Sequence, residues 1–186
     1  MTFGQTTDFA IEAYHEPYGP KWGGFGRMCI DIQGVRLGDI RENHCSLFYA
    51  ADQFRKLSPS VESLWDESFA GLSDAEIFAA VDQALYLADE SDWGRYGRFD
   101  FLTNAGEQFD DSKTFIVCRP DGRVHILYHR FRDDIFGSGS CSFQTFREVA
   151  DSFVRWFDEQ VRTISPPFFP INPFDPNETV PDNWND

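Results

Sequence analysis

The residues of this chain with chemistry to offer are four histidines, four cysteines and two Asp-Asp pairs. His125 and His129 fall on one face of a predicted strand with Leu127 between them. Same-face neighbours two steps apart lie about 13 Å from each other, too far to share an ion. His44-Cys45 could join Cys29, but no third ligand stands at metal-like spacing. Gly-x-Ser-x-Gly is absent, and Gly137-Ser138-Gly139-Ser140 reads as a loop. Gly23-Gly24-Phe25-Gly26 precedes a strand, the wrong order for a dinucleotide site, which follows a strand and opens a helix. Asp110-Asp111 and Asp133-Asp134 each sit in a predicted turn, where adjacent carboxylates face water rather than converge on a substrate. No catalytic group, metal site or cofactor site is therefore expected.

Charge is more informative. The formal net charge is −15, and residues 58–92 contain nine acids and neither Lys nor Arg. A second acidic run, 166–186, carries four acids and no base. Such a field repels nucleic acid and anionic membrane and favours a basic protein partner. Basic residues do not cluster with aromatics, which also argues against nucleic acid. The candidate partner-binding residues are Glu62, Asp66, Glu67, Asp82, Asp89, Glu90 and Asp92, with Tyr86 at their centre.

These side chains need elements to carry them. Ser73-Asp74-Ala75-Glu76 has capping-box form and predicts a helix over 74–89. Its core stripe is Ile77, Phe78, Val81, Ala84, Leu85 and Ala88, and its opposite stripe Ala79, Asp82, Tyr86 and Asp89. A helix is expected over 45–57, and a short one capped by Ser60 that carries Val61, Leu64, Trp65 and Phe69. Residues 92–97 read as a loop with Trp93 and Tyr96 folded back, and Phe99 to Leu102 as a short strand. Lys113 to Arg119 and Arg123 to Arg130 form a hairpin around Pro120-Asp121-Gly122. Residues 133–140 read as a flexible connection, and the last helix starts at Ser142 or Thr145, burying Phe146, Val149, Phe153, Trp156 or Phe157, and Val161.

At the other end of the chain Phe9 to Tyr14 alternates as a strand. Trp22 and a glycine-rich loop then lead into Met28, Ile30 and Ile32, which alternate with Cys29 and Asp31. Gln33-Gly34 turns the chain, and Val35 and Leu37 resume before Gly38-Asp39. This Trp, Gly-Arg, apolar strand, Gly turn and Leu-Gly-Asp exit resembles the bacterial polymorphic-toxin immunity proteins, and the immunity protein 42 family most. Phe99-Asp100-Phe101, Lys113 to Val117 and Val124 to Tyr128 are similar to that family too, and the resemblance covers about residues 9 to 160. It implies a cytoplasmic, non-enzymatic protein that occludes a cognate toxin. The acidic charge makes a basic nuclease the expected kind of toxin.

The expected fold is α+β: an antiparallel sheet of about five or six strands packed by three or four helices. One domain should span 1–165, followed by an acidic, Pro/Phe-rich tail over 166–186 in which Phe168 and Phe169 are buried and a homodimer contact is left open. Cys29, Cys45, Cys118 and Cys141 read as reduced, buried thiols. No membrane span is present, and Met1 to Phe9 lacks the features of a secretory signal. Two other function classes stand beside the inhibitor. One is a small hydrolase or metal-dependent enzyme with a site at Trp22, Arg27, His44 and Cys29. The other is an oligomeric scaffold that uses the tail as its arm.

Overall fold

Alternation of apolar and polar residues builds the first half of the molecule. In the computed structural model, which describes residues 1–16, 24–41, 45–88, 91–103 and 105–164, strands β1 (Thr2–Gly4), β2 (Phe9–His15), β3 (Phe25–Ile32), β4 (Val35–Leu37) and β5 (Cys45–Ser46) form one antiparallel sheet. The order is β1-β2-β3-β4, with β5 pairing beside β4 on β3. The β3–β4 turn is tight: Gln33 and Gly34 take φ of 49° and 81°, the left-handed pair that matches strand twist. Phe9, Ile11, Ala13, Met28, Ile30 and Ile32 all lie on one face and are buried.

Two helices cover that face. Helix α1 (Leu47–Leu57) is capped by the Ser46 side chain, which accepts the Tyr49 N–H. The last helix, Phe143–Ile164, begins where the Ser142 hydroxyl accepts the Thr145 N–H at 3.0 Å. Phe54 of α1 meets Phe146 and Phe153 of this last helix at centroid distances of 6.0 and 5.5 Å, and Phe146 stacks on Phe9 at 5.2 Å. Phe54, Phe146 and Phe153 are fully buried, so each stabilises by about 1.5–3 kcal/mol.

The remaining strands, β6 (Ser112–Cys118), β7 (Arg123–Arg130) and β8 (Ile135–Ser142), make a second antiparallel sheet. The α+β expectation stands, with the strands divided between two sheets. Strand β8 corrects the expected flexible connection. Its glycines serve close approach: a Cβ on Gly139 would come within 2.5 Å of Ile32 in β3, and one on Gly137 within 2.3 Å of the Tyr128 hydroxyl. Glycine here lets the two sheets touch, a role that leaves no apolar period to read.

Helix α2 (Asp74–Asp82) lies on the other face of the second sheet, where Phe78 meets Phe115 at 4.8 Å and Phe136 at 5.4 Å. Its capping box forms as expected from Ser73 and Glu76. The helix does not continue unchanged to residue 89. It widens into a π turn over Gln83–Leu87, closed by the Ala88 N–H on the Gln83 carbonyl at 2.9 Å. Between α1 and α2 the expected short helix is two 3₁₀ turns, Ser58–Ser63 and Glu67–Phe69. Ser60 does not cap; its hydroxyl donates back to Lys56, and the chain opens at Leu64 because the Leu64 carbonyl pairs with the Cys118 N–H at 2.7 Å. The expected loop at 92–97 contains one helical turn, α3 (Trp93–Tyr96), capped by Asp92. The last helix is thus α4 (Phe143–Ile164) in chain order. The expected strand at 99–102 is reduced to one bridge, Asp100 to Phe115, because Gly97–Phe99 closes a 3₁₀ turn first.

Among the described residues no helix is long and apolar enough to cross a membrane. The expectations for Trp22, His44, Asp89, Glu90 and the tail with Phe168 and Phe169 lie outside the described residues.

Candidate interaction surface

Nine acids in a row of sequence do not make nine free charges. The Asp66 carboxylate receives Arg95 Nη2 at 2.6 Å and Nε at 3.0 Å, and Arg98 lies 3.5 Å away. The same carboxylate caps the Glu67–Phe69 turn, and its bonds to Arg95 and Ser68 hold it well below the usual carboxylate range. Asp82 is bonded to Lys113 of β6 at 2.6 Å. Glu62 turns to Arg147 of α4 at 3.0 Å. Asp92 is exposed and accepts the Arg95 N–H, and Glu67 is exposed with no ion pair among the described residues. The cations come from outside the 58–92 run, so the local sequence gives no sign of them.

The α2 face is also rotated from the expected stripe. Asp82 and Tyr86 sit half-buried on the flank toward β6, while Ala79, Gln83 and Leu87 line the solvent side. Tyr86 donates its hydroxyl to Asp100 at 2.8 Å, takes the Lys113 ammonium over its ring at 4.4 Å, and meets Trp93 edge-on at 5.6 Å. Burial and the Asp100 hydrogen bond push the Tyr86 phenol well above its ordinary value. Asp100 itself is raised by burial, with Tyr86 and Thr103 hydroxyls opposing that. The structure therefore brings together Asp82, Tyr86, Asp92 and, through Arg95, Asp66, while Glu62 faces α4. Leu87 and Trp93 are 62% and 46% exposed, large apolar surfaces at the edge of this acidic cluster. Sequence reasoning named Asp100 within the Phe99-Asp100-Phe101 resemblance but not as a site residue, since it lies fourteen residues from its Tyr86 partner.

Other groupings are closed from within. Glu12, Cys29 and Asp31 bring ligand atoms within 4.8 Å of one another on the outer face of the first sheet. Arg36 of β4 fills the space a cation would need, reaching Glu12 at 2.8 Å and Asp31 at 3.0 and 3.1 Å. Burial pushes the Cys29 thiol up to about 12, so it is no nucleophile at neutral pH. The other three cysteines are also free and buried, with Cys45 and Cys141 likewise near 12. Of the enzyme reading, Arg27 is described: its guanidinium pairs with Glu16 and lies 5.6 Å over the Tyr14 ring. His125 binds Asp74 at 3.0 Å, together with Arg119, and His129 binds Asp134 at 2.8 Å, so the two histidines serve separate partners. A cavity of about 370 Å³ opens beside Arg36, Gly38, Asp111, Arg130, Arg132 and Asp133, where Arg36 and Arg130 are already bonded to acids.

The comparisons agree on one architecture. The chain resembles the crystal structure of CdiI from Burkholderia dolosa AUO158, with a TM-score of 0.61 over 84% of this chain and 99% of that one. At 13% identity this likeness shows a shared fold. No curated protein matches the chain. The model of the family described as immunity protein 42 matches residues 1–156, which takes in both sheets, α1 to α3 and most of α4. With the match running through the acidic surface as well as the hairpins that first suggested it, this chain belongs to the immunity protein 42 family.

Proposed function

We propose that this immunity protein neutralises its toxin by direct occlusion, and that the toxin's contact surface is basic. The partner-facing residues are Glu62, Asp66, Glu67, Asp82, Tyr86, Asp89, Glu90 and Asp92. The observation that carries the reading is the concentration of acid over 58–92 beside the two exposed apolar side chains Leu87 and Trp93. Uncompensated charge steers encounter, and exposed apolar area supplies the affinity that charge alone does not. A nuclease fits this surface best, because a nucleic-acid site is positive and an acidic inhibitor can fill it. Such an inhibitor acts in the cytoplasm as one copy per toxin, without cofactor, nucleic acid or membrane, and a homodimer is not required.

The test uses Glu67, an exposed acid with no ion pair among the described residues, so that folding is unaffected. Glu67→Lys should slow association with the toxin domain encoded beside this chain's gene, and should flatten its dependence on salt. Equal association rates for parent and variant at low salt would place the contact elsewhere.

A further inference from the structure

Asp100 differs from the other acids of low exposure. Asp31 is held by Arg36, Asp66 by Arg95, Asp74 by Arg119 and Asp82 by Lys113. Asp100 accepts the Tyr86 hydroxyl at 2.8 Å, the Thr103 hydroxyl nearby donates to the Thr114 carbonyl at 3.1 Å, and Asp100 makes no ion pair among the described residues. The cation that acts on it from nearby, Lys113, is bonded to Asp82 instead. A carboxylate bonded only to neutral donors has no partner balancing its charge, and burial strengthens the field that charge projects.

Around it stands aromatic surface. Tyr49 of α1 is 37% exposed, feels the Asp100 charge, and is oriented by Gln53, which donates to its hydroxyl at 2.8 Å. Trp93 is 46% exposed with one edge against Tyr86, and the π turn carries Leu87 out beside them. The molecule already displays this mode of recognition once. Lys113 sits 4.4 Å over the Tyr86 ring with a carboxylate, Asp82, at 2.6 Å. Aromatic face plus carboxylate is a receptor for an ammonium or guanidinium, and indole is the strongest such face.

We propose that Trp93, Tyr86 and Tyr49 around the Asp100 carboxylate form the energetic centre of the toxin contact, and that they receive a lysine or arginine side chain of the toxin. This deepens the acidic-surface reading and rests on it. The occupant follows from charge complementarity: the site offers a carboxylate with no ion pair among the described residues, and through Tyr86 and Leu87 it adjoins the acidic 58–92 run. Leu87 then acts as the apolar border that excludes water from the pair.

The experiment measures association and dissociation rates of the neighbour-encoded toxin domain with the full chain and three variants. Trp93→Ala should speed dissociation at least tenfold. Asp100→Asn should speed it comparably, because the amide oxygen still accepts from Tyr86 while the charge is gone. Both should leave association within about twofold. Glu67→Lys should slow association and leave dissociation alone. A toxin Lys→Ala or Arg→Ala substitution that contacts the site should add nothing further to Asp100→Asn. Far-ultraviolet circular dichroism and melting curves confirm that each variant is folded.

If Trp93→Ala and Asp100→Asn dissociate like the parent while Glu67→Lys slows association, the inference falls and the acidic-surface reading survives. If Glu67→Lys has no effect but the other two dissociate faster, the centre is confirmed and charge steering falls. A parent chain that does not bind that domain removes both.

Discussion

Two carboxylate sites, one buried and one half-buried, lie in different parts of the molecule and end in opposite states. On the outer face of the first sheet, Asp31 is 4% exposed, with Glu12 and the Cys29 thiol beside it, and Arg36 closes all of them from above. Near the π turn, Asp100 is bonded to the hydroxyl of half-buried Tyr86, with the exposed rings of Tyr49 and Trp93 in the same region. The first site has a guanidinium matched to its charge and contributes stability. The second has no cation bonded to it, and its hydroxyl partner Tyr86 meets the exposed Trp93. Burial of an acid is therefore a poor guide to function, and the identity of its partner is a better one.

The largest effect should come from opening the closed site. Arg36→Leu leaves Asp31 buried without a cation and should cost about 3 kcal/mol, read from urea unfolding. A loss under 1 kcal/mol would mean that the guanidinium does not balance Asp31, and the contrast between the two sites would weaken. Next is the contact that holds the two halves in register. Gly139→Val drives a side chain into Ile32 and should destabilise by about 2 kcal/mol. An unchanged midpoint would show that the sheets have slack where they meet.

Asp66→Asn should cost about 1 kcal/mol at neutral pH, a modest figure because the arginines that hold it are half exposed. The sign follows from the lowered carboxylate of the folded state: its stabilisation is full above about pH 4, the unfolded value, and is lost as pH falls toward the folded one. Parent and variant should therefore converge in acid. Asp100→Asn should do the reverse. Its folded carboxyl is raised, so the charged form opposes folding and the parent loses stability as pH climbs through about 4 and above. The variant should match or exceed the parent at pH 7 by up to about 0.5 kcal/mol, while losing toxin affinity. A destabilised Asp100→Asn at neutral pH would make Asp100 a structural residue like Asp31.

Local signals made much of the fold legible. The capping box at Ser73 and Glu76, the Gln33-Gly34 turn, the Pro120-Asp121-Gly122 hairpin and the Phe146 to Phe157 stripe each act within a few residues, and each formed. Strand β8 was not legible, because Gly137 and Gly139 answer to Tyr128 and Ile32 rather than to their neighbours. The acidic segment was read correctly for composition, but its cations were invisible. Arg95 lies 29 residues from Asp66, and Lys113 lies 31 from Asp82. Of the candidate site, Tyr86 was singled out for its spacing on the helix. Asp82 and Tyr86 keep their i, i+4 relation, but their stripe turns toward Lys113 of β6 instead of solvent and Trp93 is the exposed ring, an orientation set by tertiary packing that local periodicity does not decide.

Hydrogen exchange of the chain alone and saturated with the neighbour-encoded toxin domain compares the two sites in one experiment. The account predicts new amide protection in peptides covering Leu85–Ala88 and Ser91–Leu102, with Arg27–Leu37 unchanged. Protection confined to Arg27–Leu37, with the Trp93 region exchanging as it does in the free chain, would contradict it.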